Sequence, residues 1–130
     1  MKPALILLAP LAFAGCVTTQ ASVPSAGETA SIYARIGETV VLGGSRVTPL
    51  VLIEDSRCPQ GVQCVWAGRV RISATISTPS AKFNRELTFG EPIGVADGTL
   101  MLAAVEPGKR KEVPIRSSDY RFGLRFKGGL

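Results

Sequence analysis

The sequence predicts an all-β domain, an antiparallel β-sandwich or partly open barrel of about seven or eight short strands. Three observations lead there. Apolar and polar residues alternate with period two through most of the folded part. The alternation is cleanest in 120–127, where Tyr120, Phe122, Leu124 and Phe126 are interleaved with Arg121, Gly123, Arg125 and Lys127. Turn-forming residues punctuate the chain at Gly43-Gly44, Thr78-Pro79-Ser80, Ala96-Asp97-Gly98 and Pro107-Gly108. No segment combines the length, caps and spacing of a core helix.

The chain opens with Lys2, an apolar run over 4–14 and small residues up to Gly15, followed by Cys16. This is the anatomy of a secretory signal, and the run is too short to cross a bilayer, which takes about 20 apolar residues. Phe13-Ala14-Gly15-Cys16 resembles a bacterial lipoprotein cleavage box. The resemblance implies removal of residues 1–15, lipidation of Cys16 and a membrane-anchored chain in the cell envelope. Val17 stands where Asp typically retains such proteins on the inner membrane, so the outer membrane is expected. Ordinary signal cleavage near Ala14 or Gly15, giving a secreted protein, is the alternative.

Residues 16–30 are rich in Thr, Ser, Ala, Pro and Gly with no apolar periodicity, and read as a flexible tether reaching roughly 20 Å. The remainder, 31–130, suits a single β-domain. Without Lys2 the chain carries fourteen basic and ten acidic side chains, a modest excess of about +4 that solubility alone explains.

Strands are expected at 31–36, 38–42, 46–54, 69–77, a segment through Phe83, Leu87 and Phe89, 99–105 and 120–127. In 69–77, Val70, Ile72, Ala74 and Ile76 alternate with Arg69, Arg71, Ser73, Thr75 and Ser77. Pro49 argues for an edge or a bulge in its strand. Val51-Leu52-Ile53 and Leu100-Met101-Leu102 lack clean alternation, as expected of strands covered on both faces or at a barrel seam. Asp97-Gly98 between apolar runs signals a hairpin.

In an oxidising envelope Cys58 and Cys64, with Pro59 and Gly61 between them, imply a disulfide. Its chain-entropy contribution for a loop this size is about 2 to 2.5 kcal/mol. Five intervening residues and no helix signal argue against a redox pair, and the chain has no histidine to complete a zinc site. Asp55, Arg57, Cys58, Pro59, Cys64, Trp66 and Gly68 resemble the signature of a group of small, largely uncharacterised bacterial secreted proteins and lipoproteins. The likeness extends to Val105-Glu106-Pro107 and Asp119-Tyr120, and implies architecture and location without supplying chemistry.

Two roles are open for Asp55, Arg57, Trp66 and Gly68. In a structural corner, Trp66 would cover the disulfide and pack over Gly68, while Asp55 and Arg57 pair or tie down loop carbonyls. In a recognition loop the same residues face a partner. The corner is preferred. A candidate face for an anionic glycan or lipid comprises Arg121, Arg125 and Lys127, extended by Arg69 and Arg71 if both strands share a sheet. Lys109-Arg110-Lys111 could touch anionic lipid, though such runs are more often solvated.

Lacking histidine, the chain is without the commonest general base, and Ser56, Ser117 and Ser118 lie in no nucleophile motif. No enzymatic activity, cofactor, metal or nucleic-acid partner is expected. The expected function is an envelope-anchored interaction or structural module. A binder of anionic glycan or lipid is the second reading, and a hydrolase or inhibitor presenting the disulfide loop the third.

Overall fold

A computed structural model describes residues 10, 15 and 30–128. The leader expected over 1–15 and the tether over 16–30 fall almost wholly outside the described residues, and Cys16 does so entirely. Among the described residues, eight strands form two antiparallel sheets of four: β1 (Ile32–Ala34), β2 (Val40–Leu42), β3 (Ser45–Asp55), β4 (Val70–Ser77), β5 (Lys82–Thr88), β6 (Ile93–Val95), β7 (Gly98–Glu106) and β8 (Arg121–Gly128). A 3₁₀ turn, Ser117–Asp119, precedes β8.

Strand order is β1-β8-β7-β6 in one sheet and β2-β3-β4-β5 in the other. The path is thus a meander that changes sheet at β1–β2 and β5–β6 without pairing across either seam, so the sheets pack as a sandwich and do not close into a barrel. One core fills the space between them. Val70, Ile72, Ala74 and Ile76 are fully buried, facing Leu100, Leu102, Phe122 and Leu124 of the other sheet. Each large aliphatic or aromatic side chain removed from water in this way contributes roughly 1.5–3 kcal/mol.

Four expectations are corrected. Val51-Leu52-Ile53 is not covered on both faces: Val51 and Ile53 are exposed, and two bulges, after Pro49 and after Leu52, break the alternation. Leu100-Met101-Leu102 alternates normally, Leu100 and Leu102 buried and Met101 only partly so. Phe89 lies past the end of β5 and is exposed, because the strand ends at Thr88 and the chain turns through Glu91, whose N–H reaches the Thr88 carbonyl. The hairpin expected at Asp97-Gly98 turns at Ala96-Asp97 instead, with Val95 opposite Gly98, which places the short strand β6 before it.

The two ends of the sandwich are built differently. At one end lie the two-residue turn Gly43-Gly44, the Thr78–Ala81 turn, the Ala96-Asp97 turn and Gly128. Both glycines of the first turn have positive φ, 56° and 78°, as a type I′ hairpin turn requires. Because Ile32 pairs with Leu124 and Ala34 with Phe122, the chain arrives at β1 from this same end. The opposite end carries the long β3–β4 connection and the long β7–β8 connection. The length of β8 separates the ends by roughly 25 Å.

Candidate functional site

The β3–β4 connection continues its hairpin past the strands. Ser56 N–H donates to the Arg69 carbonyl at 2.9 Å, Arg69 N–H donates to Ser56 Oγ at 2.9 Å, and Cys58 N–H donates to the Ala67 carbonyl at 3.3 Å. Cys58 and Cys64 form a disulfide across the loop. Gly68 has φ +71°, and a Cβ there would collide with the Ser56 carbonyl, so the stem closes only around glycine.

Beneath the loop a carboxylate faces inward. Asp55 pairs with Val70 at the last inward position of β3, and its side chain is only 5% exposed. A charge so placed needs strong partners. Arg57 supplies a fork, its Nε and Nη2 each donating to a different Asp55 oxygen at 2.8 Å. The Tyr120 hydroxyl donates to Asp55 Oδ2 at 2.7 Å. Tyr120 leads into β8 of the other sheet, so this bond joins the two sheets at their loop end.

The network extends into the β7–β8 connection. Arg57 Nη1 donates to the Val105 carbonyl at 3.3 Å and Nη2 to the Pro107 carbonyl at 3.1 Å. Lys109 Nζ donates to the Asp55 carbonyl at 2.8 Å, and Gln60 N–H donates to the Lys109 carbonyl at 2.9 Å. Lys109 is therefore part of the loop's support, and Arg110 sits in backbone bridges with Gln60 and Val113.

Burial raises the Asp55 carboxyl pKa, but the hydrogen bonds from Arg57 and Tyr120 outweigh it and hold the group down at about 2. Burial and the neighbouring carboxylate push the Tyr120 phenol up to about 12. The Arg57 pKa is raised, first by its bond to Asp55. Asp55 is thus ionised across the physiological range, with both oxygens already accepting hydrogen bonds, an arrangement suited to holding chains together.

Trp66 departs from the expected corner. It is 81% exposed and Val65 is 90% exposed, so the indole neither covers the disulfide nor packs on Gly68. Both residues lie beyond the last cross-strand hydrogen bond, between Cys58 and Ala67, where neither sheet extends over them. The loop therefore divides. Asp55, Arg57 and Gly68 hold it in place, and Val65-Trp66 projects from it.

The composite basic face is also corrected. Arg69 and Arg71 flank or lie in β4, whereas Arg121, Arg125 and Lys127 lie in β8 of the other sheet, so their outward faces point away from each other. Glu54 accepts from Arg69 Nε at 2.7 Å and Arg71 Nε at 2.8 Å, and Arg71 also pairs with Glu86. These bonds to Arg71 and then Arg69 lower the Glu54 pKa. On the other sheet, Arg121 lies over the Tyr33 ring at 5.1 Å and 3.6 Å from Glu106, while Arg125 Nη2 donates to Ser31 Oγ at 3.5 Å. Lys127 stays exposed beside Thr99.

The candidate nucleophiles are engaged or isolated. Ser56 Oγ has two acceptors for its one proton, Glu54 at 3.3 Å and the Arg69 carbonyl at 3.2 Å, while Ser117 and Ser118 sit exposed in the 3₁₀ turn beside an Arg116–Asp119 pair.

Sequence reasoning missed Tyr120 and Lys109 as partners of Asp55. Tyr120 was legible as an inward residue of its strand, but its pairing with a carboxylate 65 positions away had no local signal. Comparison with protein-family models, curated proteins and solved structures finds no match for this chain. The class defined by its own geometry is a disulfide-looped β-sandwich.

Proposed function

We propose that the protein is a non-enzymatic interaction module of the cell envelope, anchored through a lipid on Cys16 and binding a partner protein through the tip of its disulfide loop. One observation carries this reading: Val65 and Trp66 are almost fully exposed on a loop braced from beneath by a buried ion pair, a disulfide and a glycine-dependent stem. Exposed tryptophan on a rigid support is unfavourable in water and well suited to a binding hot spot, because little conformational freedom remains to be lost on association. The chain's arrival at the opposite end of the sandwich supports it further, since an anchor there leaves the tip facing away from the attachment point.

The chemistry of the loop favours binding over catalysis. Asp55 is saturated by Arg57 and Tyr120, and Ser56 is held by Glu54 and a backbone carbonyl. The resemblance of the leader to a lipoprotein signal carries the anchoring half of the reading.

A photo-crosslinking side chain installed at Val65 in the intact envelope tests the binding half. The expected result is one discrete cross-linked species, abolished by Trp66→Ala and absent when the probe sits at Pro79 on the opposite end. Equal, diffuse labelling from both positions would sink the reading. For the anchoring half, Cys16→Ala should release the chain into the aqueous fraction, and unchanged membrane association would overturn it.

A further inference from the structure

The outward face of the β2-β3-β4-β5 sheet holds a second arrangement that the loop does not use. Cross-strand register sorts that face into rows. Arg46 pairs with Ser77 and Ser77 with Lys82, forming a row across three strands. The next row is Thr48, Thr75 and Asn84. Thr39 adds a fourth hydroxyl within reach, 2.6 Å from Thr48 Oγ1, and Thr75 Oγ1 donates to Asn84 Oδ1 at 2.8 Å. Thr39, Arg46, Thr48, Thr75, Ser77 and Lys82 together line an open cleft of about 330 Å³.

Charge along this face is sharply divided. Toward the loop end, Arg69 and Arg71 are neutralised by Glu54 and Glu86. At the cleft, Arg46 and Lys82 are exposed and, among the described residues, have no carboxylate within ion-pair distance. Two unpaired cations therefore flank a hydroxyl-lined floor.

The geometry points to a binding site for an acidic oligosaccharide in this cleft, with Arg46 and Lys82 pairing its carboxylates and the Thr and Ser hydroxyls meeting its sugar hydroxyls. The occupant follows from the spacing. Arg46 and Lys82 stand two strands apart, roughly 10 Å between backbones, so they fit charges repeated along a chain better than a single phosphate, which needs converging donors. A hydroxyl can donate and accept, as a sugar hydroxyl does, and the neighbouring strands that carry these hydroxyls lie about 4.8 Å apart, close to the length of one sugar unit in a chain. The lining contains no aromatic or large apolar side chain that would enter a bilayer. This site stands independently of the loop-tip reading.

Titration calorimetry of the full chain with a tetrasaccharide of uronic acid units, alongside its carboxyl-reduced neutral counterpart and phosphatidylglycerol vesicles, tests the proposal. Binding of the acidic tetrasaccharide alone is expected. Arg46→Gln with Lys82→Gln should weaken it at least about tenfold, two charge-assisted contacts being removed. Thr75→Val should weaken it by roughly threefold or more without lowering the melting temperature. Lys111→Gln with Arg116→Gln, an equal loss of charge at the opposite end, should leave it unchanged. Absence of binding, equal binding of the neutral tetrasaccharide, binding of the vesicles in its place, or an unchanged affinity in Thr75→Val would each overturn the site, the last by reducing it to diffuse charge attraction.

Discussion

The two ends of the sandwich solve the same problem by different means. At the end where β1 begins, neighbouring strands are joined by short turns: Gly43-Gly44, Ala96-Asp97, and Thr78–Ala81, whose Thr78 side chain both accepts from and donates to the Ala81 backbone. At the other end the connections over 56–69 and 107–120 are too long for local turn chemistry, and side chains close the gap. Asp55 is the hub there, held by Arg57 and Tyr120 while its own carbonyl accepts from Lys109. Backbone closure leaves no long loop to present. Side-chain closure fixes a long loop that can carry an exposed Val65-Trp66 tip.

The sharpest way to break this contrast is to remove the hub. Asp55→Ala leaves the Arg57 guanidinium partly buried without its carboxylate and the Tyr120 hydroxyl without its acceptor. A loss of about 3 kcal/mol is expected, since removing one member of a buried pair strands the other. Denaturant unfolding measures it, and Thr78→Ala, at the other end, should cost well under half as much. Equal losses at the two ends would show that side-chain closure is no more demanding than turn chemistry.

Acid and base sharpen the same comparison with a smaller effect. The Asp55 pKa falls from an ordinary 3.8 to about 2 on folding, so its stabilisation is complete above pH 4 and is lost as pH drops from about 4 toward 2. Tyr120 moves the opposite way, from 10.0 to about 12, so its contribution is complete below pH 10 and is lost as pH rises through about 12. A pH-dependent loss of about 1 to 2 kcal/mol on the acid side is expected once solvent screening is allowed for. Melting temperature followed from pH 6 to pH 2 tests it: Asp55→Asn should flatten the Asp55 part of that fall, and an identical slope in the variant would assign it to other carboxylates.

How much of this was legible in the sequence divides along the same line. Period two located β4 and β8 and their inward residues, because each side chain's burial follows from its own parity. Turn residues located the hairpin end for the same local reason. The strand β6 escaped notice since its three residues, Ile93-Gly94-Val95, are too few to display a period. The bulges of β3 looked like two-sided burial because an inserted residue and a doubly covered strand disturb alternation alike. The loop end was legible only in part. Asp55 and Arg57 sit two positions apart and their fork was foreseeable, whereas Tyr120 and Lys109 arrive from positions more than fifty residues later. The division of basic residues between opposite faces depended on strand order, which period two does not encode. The Arg46–Ser77–Lys82 row was hidden for the same reason, its members lying in three strands.

The smallest expected effect concerns Trp66, where a large residue should matter least to the fold. A corner tryptophan packed on a disulfide would cost several kcal/mol to remove, as core aromatics do. At 81% exposure, with its hairpin stem held by Gly68 and its loop base by Asp55 and Arg57, Trp66 contributes almost no burial to lose. Trp66→Ser should therefore change stability by less than about 0.5 kcal/mol. It should also leave the Cys58–Cys64 bond intact, because neither sulfur depends on the indole for cover. Thermal unfolding together with a count of free thiols checks both expectations. A drop of several degrees would mean that the indole folds back over the loop in solution, which would move Trp66 from the presented tip to the supporting end of the comparison.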